Sequence, residues 1–324
     1  MNRRQLARLA LGLATATVLA PAALAQAFPS KPIRILVPFG AGGVADLTAR
    51  TVAAKMAEGL GQAVVIDNKP SAGGVVAGEA VAKAEPDGHT LLLMSNGTAV
   101  SASLFKSLPF DTLRDFAPIS TLGSFDIAVL TPAGSRFKTL QELVAFAKAN
   151  PGKLNIGTIN IGSTQNLAAE LFKTSAGIDA QIVPFNGTPA VVTALRGGQI
   201  DAAVEILGPV MSQIKSDGLR ALAVTGDKRA AVLPEVPTAK EAGVANFSAA
   251  SWNGLAAPAK TPRAVVERLH KEVAAALAAP EVKKKLADLN VDAQASTPEQ
   301  AAALLASEVK RWGEVVVRAK IPQQ

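Results

Sequence analysis

A glycine-rich loop after the first β-rich run is the most specific chemical feature of the sequence. Residues 39–46 form this loop, and a helical pattern begins within it. Glycines let the backbone turn tightly and present its N–H groups, while a helix start carries partial positive charge. Together they suit a carboxylate or a phosphate. The ligand-binding residues predicted here are Phe39, Gly40, Ala41, Gly42 and Gly43. Asp46 either accepts a hydrogen bond from a ligand or only caps the helix.

The same arrangement recurs twice in the second half of the chain. Residues 157–166 end a β-rich run, turn through small and hydroxyl side chains, and begin a helix. Residues 183–190 do the same, and Pro189 suits the first position of a helix. Hydroxyl groups in such loops either cap the helix or donate to an anion. The residues predicted to bind ligand here are Gly162, Ser163, Thr164, Asn166, Phe185, Asn186, Gly187 and Thr188.

Two further residues at strand ends are weaker candidates. Residues 95–98 follow a β-rich run, and they either bring Thr98 into a ligand cleft or form a plain turn. Glu205 ends another run, where it either contacts a ligand amine or the hinge, or is a solvated carboxylate at the sheet edge.

Enzymatic alternatives receive less support. Residues 40–45 fit a loose dinucleotide-binding pattern and Asp67 ends the next strand, but their spacing exceeds the about 20 residues that this motif requires. A dinucleotide-binding oxidoreductase therefore remains the less favoured alternative. The sequence has no Gly-x-Ser-x-Gly motif, no cysteine and only two isolated histidines. These counts disfavour a thiol nucleophile and a histidine-rich metal site, so we expect neither catalysis nor a metal or cofactor.

Short β-rich runs alternate with helical patterns in two blocks, residues 33–94 and residues 139–225. This alternation predicts an α/β fold, in which two parallel or mixed sheets of about five strands each carry flanking helices. Residues 117–131 and 247–258 lie between or after the blocks and are extended and apolar. Both segments are expected to cross from one block to the other.

Two C-terminal helices complete the predicted fold. They begin near residues 261–262 and 297–298, and each has one apolar stripe. Because neither can form a domain alone, we expect both to pack on the first block. The sequence thus predicts lobe 1 at residues 26–124 and 249–324, and lobe 2 at residues 125–248. Two crossings between the lobes form a hinge, and the ligand lies in the cleft.

The first 25 residues read as a secretory signal. Arg3, Arg4 and Arg8 precede an apolar stretch at residues 9–19, and small residues end the segment at Ala25. We predict export to the periplasm with cleavage after about Ala25, by the general secretory or the twin-arginine route. Removing three of the 33 basic residues and none of the 26 acidic ones lowers the net charge from +7 to +4.

The composition argues against nucleic-acid binding. Aromatic residues make up 4% of the chain and tyrosine is absent, so base-stacking platforms are lacking. Basic residues are scattered and form no stripe. We expect a monomer that has no disulfides and is held together by its core.

Motifs spread over the chain resemble those of the Bug family, the extracytoplasmic substrate-binding proteins of tripartite tricarboxylate transporters. The matching stretches are residues 29–33, residues 37–39 with Gly42, Gly43 and Asp46, residues 73–74, residues 86–92, residues 115–118, residues 234–238, and residues 257–258 with 261–262. The resemblance implies a two-lobed, type II-like periplasmic binding protein fold. It also implies capture of a carboxylate by the loop at 39–46 and the helix start at 162–164.

The function implied is capture of a small organic carboxylate or amino acid for delivery to a membrane permease. A receptor that signals to a membrane sensor kinase would have the same binding chemistry. Two positions depart from the family pattern: Asn166 replaces a frequent histidine, and residues 185–187 replace Tyr-Lys-Gly. Loss of a cation and a phenol at the second position favours a less charged or more apolar acid. The sequence leaves open which acid binds, its affinity and the export route.

Overall fold

The computed structural model describes residues 28–318 and 321–324, so the predicted signal peptide and its cleavage site lie outside the described residues. The first block alternates between strands and helices, as its sequence pattern indicates. Its elements are β1 (Ile33–Val37), α1 (Val44–Leu60), β2 (Val64–Asn68), α2 (Val75–Ala82), β3 (Thr90–Ser95) and α3 (Asn96–Leu104).

A long strand, β4 (Phe116–Pro132), leads from the first block into the second. The second block consists of α4 (Leu140–Ala149), β5 (Leu154–Ile159), α5 (Thr164–Ala176), β6 (Ala180–Phe185), α6 (Thr188–Arg196), β7 (Ala202–Ile206), α7 (Leu207–Lys215) and β8 (Leu219–Val224). The chain ends with β9 (Ala250–Pro258), α8 (Arg263–Ala278), α9 (Pro280–Asp288), β10 (Val291–Asp292) and α10 (Pro298–Arg318).

The strands form one curled sheet with the order β2-β1-β3-β9-β4-β7-β5-β6, and β8 and β10 also pair with β4. Pairing is parallel within β2-β1-β3 and within β7-β5-β6, whereas β4 and β9 pair antiparallel with their neighbours. Residues 116–126 of β4 pair with β9, and residues 127–132 pair with β7 and β8. The two predicted sheets therefore share one strand.

Burial explains why these segments form strands. Every residue of β7 is buried, and so are four of the five residues of β1. Strands covered by helices on both faces require such continuous apolar runs. The helices cover the sheet with one buried stripe each; α1, for example, buries Val52 and Met56 and packs against α8.

The C-terminal helices pack on the first block. Helix α8 buries Leu269, Val273 and Leu277 and contacts α1 and β4, while α10 contacts α3 and β4. The Trp312 side chain of α10 is fully buried, and its Nε1 donates a hydrogen bond to Glu308 Oε2 at 2.8 Å. The apolar stripes read from the sequence thus face the protein interior.

Three elements differ from the sequence-based expectation. Residues 95–98 do not form a plain turn, because Ser95 caps α3: its Oγ accepts from the Gly97 N–H, and Thr98 Oγ1 accepts from the Ser95 N–H. These reciprocal bonds are a capping box. Helix α9 and strand β10 were not expected either. None of the helices within the described ranges is long and apolar enough to cross a membrane.

Replacing Trp312 tests the anchoring role of α10. Trp312→Ala should lower the free energy of unfolding by about 3–5 kcal/mol, because it removes a large, fully buried side chain. Urea unfolding followed by circular dichroism measures this change. Val317→Ala in the same helix is the control: Val317 is 78% exposed, and its loss should cost less than about 0.5 kcal/mol. Equal effects of the two substitutions would show that α10 is not anchored through Trp312.

Candidate functional site

A small cavity lies at the carboxyl ends of strands from both blocks. Parallel α/β sheets usually bind ligands at this edge. The cavity is lined by Phe39, Gly40, Gly43, Val44, Ala45, Ser95, Phe125, Ile159, Thr164, Gln165, Gly187, Thr188, Ile206, Ser251 and Asn253.

Five helices begin at this cavity. Their N-cap or first-turn residues in its wall are Gly43, Val44 and Ala45 of α1, Ser95 of α3, Thr164 and Gln165 of α5, Gly187 and Thr188 of α6, and Ile206 of α7. Each helix N-terminus carries about half an elementary positive charge. Within the described parts of the chain, no lysine or arginine lines the cavity. The positive potential therefore comes from backbone N–H groups.

Asp46 stabilises the loop at 39–46 from outside the cavity. Its side chain is buried, and its Oδ2 accepts from the Gly42 N–H at 3.0 Å while Arg50 Nε donates to Oδ1 at 3.0 Å. Burial acts to raise the pKa of Asp46, but the hydrogen bonds from Arg50 and Gly42 outweigh it and hold this pKa below its usual range. Gly42 has a φ of +83°, a left-handed conformation that favours glycine. Of the two predicted roles, the geometry matches support of the helix start.

The loop before α5 is closed in the same way. Ser163 Oγ accepts from the Asn166 N–H at 3.1 Å, and Asn166 Oδ1 accepts from the Gly162 N–H at 3.2 Å. These side chains therefore hold the loop. Thr164 lies in the cavity wall, and its Oγ1 is 2.9 Å from Ser251 Oγ of β9.

Glu205 is fully buried behind the cavity wall, so the alternative of a solvated edge carboxylate is wrong. Its Oε2 accepts from Gln165 Nε2 at 3.3 Å, from Thr188 Oγ1 at 3.2 Å and from the Ile206 N–H at 3.2 Å. Its Oε1 is buried and has no hydrogen-bond partner among the described residues. Burial raises the pKa of Glu205 to about 7, although the three hydrogen bonds act in the opposite direction.

Sequence reasoning missed a polar strip on β3 and β9. Ser95 of β3 pairs with Asn253 of β9, and Ser251 lies two residues earlier on the same face of that strand. All three line the cavity. Asn253 is 1% exposed, and its Nδ2 has no hydrogen-bond partner in the described structure. The sequence feature that could have indicated this strip is the alternation of Ser251 and Asn253 within the apolar run at 247–258.

The structure brings together some of the predicted residues and separates others. The predicted residues that line the main cavity are Phe39, Gly40, Gly43, Thr164, Gly187 and Thr188. A neighbouring narrow cleft shares Phe39 and Ser95 with it and is also lined by Thr98, Gly162 and Ser163. The predicted residues outside the cavity and the cleft are Ala41, Gly42, Asp46, Asn166, Phe185, Asn186 and Glu205.

Features required for the enzymatic alternatives do not come together here. The Asp67 carboxylate pairs with Arg34 at 2.6 Å and is absent from the cavity wall, although a dinucleotide-binding acid would face the ligand. In residues 28–318 and 321–324, no three histidine or acidic side chains cluster in a way that could hold a metal ion.

The sequence matches the family model described as "Tripartite tricarboxylate transporter family receptor" over residues 48–321. It is 38% identical over 321 residues to the "UPF0065 protein in tcbD-tcbE intergenic region" of Pseudomonas sp. strain P51, covering 99% of this chain and 95% of that protein. It is 35% identical over 315 residues to protein BugT of Bordetella pertussis, covering 97% and 96% of the two chains.

Solved structures match over almost the whole chain. Periplasmic binding protein BugD superposes with a TM-score of 0.88 at 31% identity, covering 92% of this chain and 100% of that one. MatC of Rhodopseudomonas palustris with bound malate gives 0.84 at 32% identity, covering 89% and 100%. R. palustris Rpa4515 with adipate gives 0.87 at 30% identity, covering 91% and 99%.

Because the pKa of Glu205 is raised in the folded protein, the free energy of unfolding should depend on pH in a way that can be measured. As the pH rises from 4.5 towards about 7, the unfolded chain loses this proton while the folded protein retains it. The free energy of unfolding should therefore fall with rising pH in this window, by at most about 1.4 kcal/mol per pH unit for one group. Glu205→Gln should remove this component, as measured by urea unfolding at several pH values. Glu235→Gln, at an exposed position, is the control. An unchanged pH slope in Glu205→Gln would mean that folding does not raise the pKa of Glu205.

Proposed function

The chain belongs to the tripartite tricarboxylate transporter receptor family, and on that premise we propose that it captures a small organic carboxylate for delivery to a membrane transporter. The resemblance predicted from its motifs and the predicted two-lobed α/β fold are both confirmed. The main support for the proposed ligand class is the start of five helices at one cavity without a cationic side chain in its described wall. Backbone N–H groups at helix starts bind carboxylates.

We propose that lobe 1 comprises residues 26–124 and 249–324, and that lobe 2 comprises residues 125–248. Two features support this division. Strand β4 changes its pairing partners after Asp126, from β9 to β7 and β8. The chain returns to β9 after β8 through residues 225–249. The cavity is lined by residues of both segments, so a hinge at the two crossings would open and close it.

Contacts across the cavity support a closing motion. The Gly73 N–H donates to the Ile161 carbonyl at 2.7 Å, and Thr164 Oγ1 lies 2.9 Å from Ser251 Oγ. Gly40 packs against the backbone of Asn186 so closely that a side chain at position 40 would overlap the Asn186 carbonyl. In this proposal, ligand binding favours the closed form, and closure creates the surface that a membrane partner recognises.

We infer a binding role without catalysis. The family consists of solute-binding receptors, and the cavity wall formed by described residues contains no histidine, lysine or acidic side chain. MatC and Rpa4515 bind malate and adipate, which supports a carboxylate ligand for this relative. We further infer a periplasmic location, since BugD is a periplasmic binding protein. Cleavage after about Ala25 and a monomeric state are proposed from the sequence alone.

A thermal-shift screen tests the proposed function. Protein purified from periplasmic extract is heated with monocarboxylates, dicarboxylates, tricarboxylates or amino acids, and with NAD as the control. A carboxylate at about 100 times its Kd should raise the melting temperature by about 5 °C, because it binds only the folded state. A shift with NAD alone, or no shift with any carboxylate after removal of bound material by unfolding and refolding, would contradict the proposal.

Gly40 tests closure separately from folding. Gly40→Ala should weaken binding of the carboxylate with the largest thermal shift by more than about tenfold, because the added methyl group obstructs the approach of the Asn186 carbonyl. Its circular dichroism should stay native, since Gly40 is not among the glycines with positive φ. Gly134→Ala is the matched control, because nothing lies within 4 Å of the added Cβ there. Native affinity in Gly40→Ala would refute closure at this contact; calorimetry and small-angle scattering provide the two readouts.

A further inference from the structure

We propose that the ligand of this cavity is a monocarboxylate whose remaining body is apolar. The inference rests on the proposed function, and it narrows the ligand class from small organic carboxylates in general. The charges of the cavity, its donor groups and its apolar wall each support it.

The cavity has partial positive charges from helix starts and no cationic side chain in its described wall. Part of the donor capacity at these helix starts is already used, since Glu205 accepts hydrogen bonds from Thr188, Gln165 and the Ile206 N–H immediately behind the wall. A second ligand carboxylate would add negative charge where no cation compensates it. Burial of such an unpaired charge is strongly unfavourable.

The donors are concentrated on one strip of the wall. Asn253 lines the cavity and is almost fully buried, and its Nδ2 lacks a hydrogen-bond partner among the described residues. Ser251 follows the same face of β9, and Ser95 lies beside Asn253 on β3. A carboxylate has only acceptor oxygens when ionised, so it fits an amide N–H that still needs an acceptor. This strip and the start of α1 can hold one carboxylate.

The rest of the wall is apolar. The larger apolar side chains that line the cavity come from both proposed lobes: Phe39 from a loop, Val44 from the start of α1, and Phe125, Ile159 and Ile206 from strands. Such side chains stabilise a hydrocarbon or aromatic group by excluding water, and they offer nothing to an ionised oxygen. Adipate and malate, which Rpa4515 and MatC bind, both carry two carboxylates. This chain has a similar fold, but its cavity wall suits a ligand with one carboxylate.

The number of charges on the ligand can be varied at constant shape. The linear series is 1-hexanol, hexanoate and adipate, and the aromatic series is benzyl alcohol, benzoate and terephthalate. Each compound is titrated into the native protein by calorimetry at neutral pH, after any co-purified ligand has been removed by unfolding and refolding. In at least one series, the monocarboxylate should bind at least about tenfold more tightly than both other members, because only it matches one anion site and an apolar wall.

Each outcome decides the proposal. The proposal is overturned if, in every series that binds, the dicarboxylate or the alcohol binds as tightly as the monocarboxylate or more tightly. If neither series binds while malate or an amino acid does, the apolar class is wrong and the carboxylate-binding function stands. If no carboxylate binds, the proposed function fails as well.

A substitution in the apolar wall provides a second measurement. Ile159→Thr replaces wall hydrocarbon with a hydroxyl group and should weaken binding of the preferred monocarboxylate by about tenfold. Val65→Thr, at a half-exposed position on β2 outside the cavity, is the control and should leave the affinity unchanged. Unaltered affinity in folded Ile159→Thr would show that the ligand body does not contact this wall.

Discussion

A helix leaves its first N–H groups without intrahelical acceptors, and in a buried place they need another partner. Five helices of this chain start around one cavity, where the strands of both blocks end. Several side chains around the cavity accept hydrogen bonds from N–H groups at or next to these helix starts. Asp46 accepts from the Gly42 N–H next to α1, Ser163 accepts from the Asn166 N–H in α5, and Glu205 accepts from the Ile206 N–H beside α7. The N–H groups that remain facing the cavity are available to an anionic ligand.

The two acids near these helix starts have different environments and therefore different charges. Asp46 receives hydrogen bonds from a guanidinium and an N–H, and its pKa is lowered. Glu205 has no cation among its partners, and burial raises its pKa to about 7. Its second oxygen is buried without a partner in the described structure, an arrangement that a proton makes less costly. The first block thus holds an ionised carboxylate outside the cavity, whereas the second block holds a carboxyl group that can be neutral.

The sequence predicted what is local. Each strand, the loop after it and the helix that follows lie within about 30 consecutive residues, so β-rich runs and turn residues were sufficient to locate them. The roles of Asp46 and Asn166 could not be decided from the sequence, because a polar side chain in the first helical turn can bind a ligand or hydrogen-bond to its own loop. Their hydrogen bonds to Gly42 and Gly162 run four residues back along the chain. The position of Asn253 in the site could not be predicted from the sequence, because it depends on the pairing of β9 with β3, which lies more than 150 residues earlier. Glu205 could have been recognised as buried, since the rest of β7 is apolar.

In the proposed binding mechanism, closure and selectivity depend on different parts of the site. The contacts of Gly40 with Asn186 and of Gly73 with Ile161 involve backbone atoms, so they do not require particular side chains in the wall. Phe125, Ile159 and Ile206 shape the cavity but take no part in those contacts. A change in these side chains can therefore alter the preferred acid while the lobes still close in the same geometry. MatC and Rpa4515, each about 30% identical to this chain, bind dicarboxylates of different length and shape on a similar fold.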